Sequence, residues 1–352
     1  MELSLPSITS LVFILLRLIL IYHSLLFLTS VKMALVRERR HQQGLRLSLP
    51  PLPAADFLQQ SHYTALLSAI GPTSPDIESL SDLERLSVIG HGNGGTVYKV
   101  RNRKSSSVYA LKVLRFDQNT AIRHQAACEA EILKRVDSQF VVKCFAVFDT
   151  IGGELCFVME HMERGSLYDE LRVRANLPED VISGIARSVL RGLQYLHGMQ
   201  IVHGDIKPSN LLINGKGEVK IADFGVSKIV VGTRNAYDTS MGTCAYMSPE
   251  RVDPERWNGG NADGFVGDIW SLGVVVLECC VGRYPLIGLG EKPDWAALMC
   301  AICFGERPQM PETVSPYFRS FVRRCLEKDW RNRGTVDELL HHPFVNGTFE
   351  LR

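Results

Sequence analysis

Four polar side chains crowd into one short stretch between two apolar runs: His203, Asp205, Lys207 and Asn210 in IVHGDIKPSNLLI. Such a cluster is costly beside a core unless its members bind something. The residue types suit transfer of a phosphoryl group to a hydroxyl. Asp205 can accept the hydroxyl proton, Lys207 can neutralise charge on the group in flight, and Asn210 can ligate a metal. Further on, the apolar pair LLI and VKI, joined by NGKG, leads into Asp223-Phe224-Gly225. A carboxylate at a strand end beside a glycine suits a magnesium ion that bridges phosphates.

A second group lies upstream. VIGHGNGGTVYKV places Gly90, Gly92 and Gly95 in the spacing G-x-G-x-x-G. The same spacing opens dinucleotide-binding folds, but there a helix follows. Here the β-branched and aromatic run TVYKV predicts a strand. A strand–glycine loop–strand hairpin can lay backbone N–H groups over phosphates, or it can be a simple flexible turn. In SVYALKVLRF, alternation puts Val108, Ala110 and Lys112 on one face. Lys112 is then either a solvated edge residue or a cation in need of an anion. Ile122, Ala126, Glu129, Leu133 and Val136 recur every three or four residues and share one helical face. Glu129 thus falls inside an apolar stripe, as a rim residue or as the partner of Lys112; an ion pair between the two accounts for both.

The elements that must position these groups divide in two. Strand-like runs come first, RLSVIG, TVYKV, SVYALKVLRF, VVKCFAVFD and ELCFVMEHM, and helical periodicity dominates after about residue 166. A small β-rich half followed by a larger helical half predicts an α+β fold of two lobes with a site between them. The domain would span 84–345, after an apolar leader (1–32) and a basic stretch with linker (33–83), and before a short tail (346–352).

Of the 352 residues, 45% are hydrophobic and 22% charged, with a formal net charge of +1. That is ordinary for a globular chain and supplies no field to steer nucleic acid. Nine scattered cysteines suggest reduced thiols rather than a disulfide framework. Cys300 and Cys303 form a CxxC with no second pair at zinc spacing; their apolar run DWAALMCAICF reads as a buried helix. Segment 11–29 is nearly the ~20 residues that span a bilayer, but it carries Arg17. It is a membrane anchor, a targeting peptide, or an extension ahead of a true start at Met33. Membrane contact is expected only in the first case; otherwise the expected compartment is the cytoplasm, with the nucleus as an alternative.

These motifs, in this order, resemble the protein kinases. Met247-Ser248-Pro249-Glu250, Asp268 in GDIWSLGVVVLE and Arg333 before TVDELLHHPF agree with that family. Lys207 is of the serine/threonine type. CFVMEHMERGSL, GTCAYMSPER and MALVRERR followed by LRLSLPPLP resemble the plant-type mitogen-activated protein kinase kinases. The resemblance implies ATP and Mg2+ as cofactors, with Asn210 and Asp223 on the metal. It implies a nucleotide site of Ile89, Gly90, Gly92, Gly95, Val97, Ala110, Lys112, Glu129, Met159, Glu160, Met162, Leu212 and Asp223, with Met159 as gatekeeper and Glu160 to Met162 facing the adenine. Asp268 would brace the catalytic loop, and Arg333 would pair with Glu250.

The resemblance further implies a dual-specificity kinase of plant stress signalling. Its substrate would be a mitogen-activated protein kinase, phosphorylated on threonine and tyrosine, and an upstream kinase would phosphorylate it at Thr233 and Thr239. Arg39-Arg40 followed by Leu45, Leu47 and Leu49 matches a docking peptide for such a substrate, the alternative being a solvated basic tail. The rival from another class is a kinase-fold scaffold without activity. One departure stands out: His203-Gly204-Asp205 lacks the arginine that most kinases carry between the histidine and the aspartate. Lys228 and Arg123 are the cations then expected to read loop phosphates.

Overall fold

The computed structural model describes residues 77–92, 95–115, 120–150, 152–229, 244–262, 264–288 and 295–347. The β-branched and aromatic runs pair into one antiparallel sheet. Its strands β1 (Leu83–Gly92), β2 (Gly95–Asn102), β3 (Val108–Arg115), β4 (Cys144–Asp149) and β5 (Glu154–Glu160) lie in the order β1-β2-β3-β5-β4. The sheet is apolar on both faces. Tyr109, Leu111, Val113, Cys156 and Val158 fill one cluster with Ile77 and Val100. Ala110, Leu114, Leu155, Phe157 and Met159 face the other way, where α1 (Thr120–Arg135) contributes Ala126, Ala130 and Leu133. Burial on both faces explains why β3 and β5 read as nearly continuous apolar runs.

The run VVKCFAVFD becomes a strand only from Cys144. Val141 and Val142 are buried ahead of it and tie across to Ile221, whose carbonyl accepts the Val142 N–H at 2.9 Å.

The helical part comprises α2 (Leu167–Arg174), α3 (Glu179–Gly198), α4 (Pro249–Val252), α5 (Phe265–Val281), α6 (Trp295–Met299), α7 (Pro316–Cys325), α8 (Val336–Leu340) and α9 (Pro343–Asn346). Ile182, Ile185, Ala186, Val189, Leu190, Leu193 and Leu196 give α3 one buried stripe, whereas α5 is buried all round from Gly267 to Cys279. An amphipathic helix lies against a core, and one apolar on every side lies within it. A Cβ at Gly273 would come 2.6 Å from that of Cys325, so glycine lets α5 and α7 approach. Two small two-stranded antiparallel sheets lie among the helices: β6 (Ile201–Val202) with β9 (Lys228–Ile229), and β7 (Leu211–Ile213) with β8 (Val219–Ile221).

DWAALMCAICF departs from the buried helix expected of it. It forms α6 and then a wide turn over Cys300–Phe304, with Cys303 buried but Cys300 exposed. Trp295 and Phe304 stay about half exposed, and the Arg256 guanidinium lies 4.6 Å from the Phe304 ring centre. Only one side of the run finds apolar neighbours. No disulfide and no cluster of three potential metal-binding His, Cys, Asp or Glu occurs among the described residues. Nor is any described helix long and apolar enough to cross a membrane. Segment 11–29, the basic stretch and Thr233 and Thr239 lie outside the described residues.

Candidate active site

The β1–β2 hairpin brings its glycines over β3. Gly92 pairs with Gly95, and Gly90 with Val97. A Cβ at Gly95 would come 2.5 Å from Leu114 Cδ2 and 2.6 Å from the Val113 carbonyl, so only glycine permits this approach of the two strands. Ala110 pairs with Met159 across β3 and β5, and both belong to one apolar cluster with Met162, against which Val97 and Leu212 pack. Residues from both halves of the sequence thereby form one apolar slot. Ile89 stands on β1 with 47% exposure, at the rim. Both Glu160 oxygens accept from Lys220 Nζ on β8, at 2.6 and 2.9 Å, which ties the end of β5 to the helical half. That bridge was not anticipated; alternation shows that Lys220 faces away from Val219 and Ile221, but not what it meets.

Lys112 Nζ lies 2.7 Å from Glu129 Oε1 and 2.9 Å from Asp223 Oδ1. Burial opposes the Lys112 charge, but Glu129 and Asp223 outweigh it and raise the ammonium's pKa. Burial pushes the Glu129 carboxyl up, and Lys112 opposes that shift. The 2.7 Å contact sets the Lys112 ammonium directly against the buried Glu129 carboxyl. Asp223 is also opposed by burial, yet Lys112 holds its carboxyl below the usual range. Helix α1 is docked onto the same motif, since Gln125 Nε2 donates to the Gly225 carbonyl. Phe224 is buried with its ring edge-on to His203, 5.2 Å between centres.

Asp205 is held at one oxygen. Lys207 Nζ and Asn210 Nδ2 both donate to its Oδ2, at 2.7 and 3.0 Å, and Asn210 Nδ2 also reaches the Asp205 carbonyl at 2.9 Å. Among the described residues nothing is bonded to Oδ1, which suits a proton acceptor for an incoming hydroxyl. Asp268 braces the loop from beneath. It accepts from the His203 N–H at 3.0 Å and the Gly204 N–H at 2.7 Å, with His197 Nε2 at 2.9 Å. Arg333 meets Glu250 through two bonds of 2.7 and 2.9 Å, both side chains buried. Arg123, one of the two cations expected to read loop phosphates, lies 3.5 Å from Asp149 on β4 with both side chains partly exposed; the loop itself lies outside the described residues.

The residues fit ATP and Mg2+. The slot is apolar and glycine-roofed, and Asn210 uses its amide nitrogen within the loop, which leaves its amide oxygen, like the Asp223 carboxylate, as a hard ligand. Bound there, ATP would supply the phosphoryl group and the cation would spread its charge. The chain's own groups converge there: Lys112 against Glu129 and Asp223, and Asp205 against Lys207 and Asn210.

A two-lobed α+β fold with this set of side chains converging between the lobes defines a protein kinase, and the protein kinase domain family model matches residues 83–345. The chain is 57% identical over 313 residues to mitogen-activated protein kinase kinase 10 of Arabidopsis thaliana, covering 89% of this chain and 99% of that one. It is 49% and 47% identical to kinases 9 and 7 of the same name and organism, again over 89% of this chain and 99% of each relative. The chain belongs to the plant mitogen-activated protein kinase kinases. Nothing in the site favours the inactive scaffold, since Lys112, Asp205, Asn210 and Asp223 are present and converge.

Proposed function

We propose that this kinase transfers the γ-phosphoryl of ATP to threonine and tyrosine in the activation loop of a mitogen-activated protein kinase. The observation that carries the chemistry is the Asp205 carboxylate with Oδ2 doubly bonded and Oδ1 open, in a fold where Lys112 is already paired with Glu129. The names of the relatives support the substrate class. Asn210 and Asp223 hold Mg2+, and an upstream kinase phosphorylates Thr233 and Thr239. Arg39, Arg40, Leu45, Leu47 and Leu49 dock the substrate kinase. The compartment is the cytoplasm, with the nucleus as a second.

The test is a panel of inactive mitogen-activated protein kinases incubated with the purified chain and ATP, with phosphosites mapped. Dual phosphorylation of one member supports the reading; phosphorylation of none, beside an active generic assay, overturns it. Alanine at the five docking positions should raise KM for that member alone. Equal effects on a generic protein substrate would assign the leader to folding instead.

A further inference from the structure

Glycine between His203 and Asp205 leaves the backbone just ahead of the base with more freedom than any other residue would. Gly204 takes φ +77°, in the left-handed region. A side chain leaving its Cα would head for Arg251, with Nη1 and Nη2 3.8 and 4.0 Å from the Cβ position, and for the Val226 carbonyl at 3.6 Å. Arg251 lies on α4, at the end of GTCAYMSPER, and its Nη1 donates to the Gly204 carbonyl at 2.7 Å. The N–H of that same peptide unit, on Asp205, donates to His203 Nδ1 at 3.3 Å. The preceding N–H, on Gly204, is held by Asp268. Arg251 has no carboxylate partner among the described residues; its hydrogen bond goes to a carbonyl. Charge-assisted hydrogen bonds of this kind are about twice as strong as neutral ones.

We propose that Arg251 is a positioning residue for phosphoryl transfer. It fixes the Gly204–Asp205 peptide from the segment that carries α4, so that Asp205 Oδ1 points at the acceptor hydroxyl although no side chain at 204 can brace the loop. The order of that segment then conditions the base. The inference rests on Asp205 as the proton acceptor.

The test compares Arg251→Met, Arg251→Lys and Asp205→Asn in the full chain, with ATP and both a mitogen-activated protein kinase and a generic protein substrate. Arg251→Met should lower kcat on the order of 10- to 100-fold for both substrates, the scale of a small misplacement. KM for ATP and for each protein should stay within about twofold, because no ground-state contact is lost. The Asp205 amide should exchange faster with deuterium while Tm holds, and Arg251→Lys, which keeps a charged donor, should recover most of the rate. Wild-type kcat in Arg251→Met overturns the inference. So does a rise in KM for the protein substrate at unchanged kcat, which would make Arg251 a substrate contact. A lowered Tm that lysine fails to rescue would make it a brace of the fold. If Asp205→Asn turns over at the wild-type rate, the assignment of the base falls too; if only Arg251→Met does, the inference falls alone.

Discussion

Lys112 and Asp223 touch directly, Nζ to Oδ1 at 2.9 Å, although the sequence separates a strand residue of one half from the Asp-Phe-Gly turn of the other. The same ammonium holds Glu129, which is 2% exposed at the side chain against 48% for Asp223. One partner is therefore dry and the other open to solvent. A phosphate entering the site can replace the contact with Asp223 without breaking the contact with Glu129, and Asp223 is then free for a cation.

Lys112→Met should reduce kcat by on the order of 10²–10³, the usual loss when one fixed electrostatic donor is removed. The fold should survive, because burial already pushes the Glu129 carboxyl toward its neutral form once the lysine is gone. Lys112→Arg keeps the charge but carries it on a planar fork and should recover little activity. Single-turnover rates and Tm decide; a Lys112→Met enzyme with near wild-type kcat would remove Lys112 from the reaction.

Acid stability should report on Asp268. Burial alone would raise its carboxyl, but His197 and the loop N–H groups outweigh it and hold the pKa below the ordinary 3.8. A carboxyl lowered by folding contributes stability that is complete above its unfolded value and lost as pH falls through the folded one. Asp268→Asn should thus be less stable at neutral pH, by about 1–3 kcal/mol for unsatisfied buried groups. The gap from wild type should begin to narrow as pH falls below about 3.8 and vanish only below the depressed folded value. Denaturant titrations at several pH values measure it; a gap that does not change with pH counts against the assignment.

Arg333 and Glu250 are both buried, so removal of one strands the other. Arg333→Met should cost about 3–5 kcal/mol, whereas replacement of both by apolar residues should cost much less. The second comparison isolates the stranded charge from the lost packing. Equal losses in the single and double variants would show that packing dominates.

Several of these relationships were open to reading from periodicity. Glu129 stood in an apolar stripe and Lys112 on a strand face with small residues, and each needed the other. The hairpin, the LLI–VKI pair and the division into two halves followed from alternation and turn residues in the same way. What escaped were contacts that depend on how the halves close. Nothing local joins Arg251 to Gly204, Lys220 to Glu160 or Lys112 to Asp223. Arg123 shows the converse: its helix was foreseen, but not that the strand beside it supplies Asp149 at 3.5 Å. Apolar composition also misled at DWAALMCAICF, because hydropathy alone does not say how many sides of a helix find neighbours.

The switch is testable through the cations around the catalytic loop. Phosphates on Thr233 and Thr239 would each bring roughly −1.5 to −2 charge near neutral pH and require cations to order the segment. Gly204 offers none, Arg123 is paired with Asp149, and Arg251 donates to the Gly204 carbonyl. Lys228 is exposed on β9, paired across the backbone with Val202 just ahead of His203. That register sets Lys228 beside the start of the catalytic loop and makes it the cation to test. Glu at both threonines should raise basal kcat, as an added charge biases a two-state segment. Adding Lys228→Ala should return activity to the basal level if pairing orders the segment, and adding Arg123→Ala instead should leave activation intact. Full activation of the triple variant carrying Lys228→Ala would reject pairing. The phosphates would then act by expelling an inhibitory arrangement, since charge repulsion needs no particular partner.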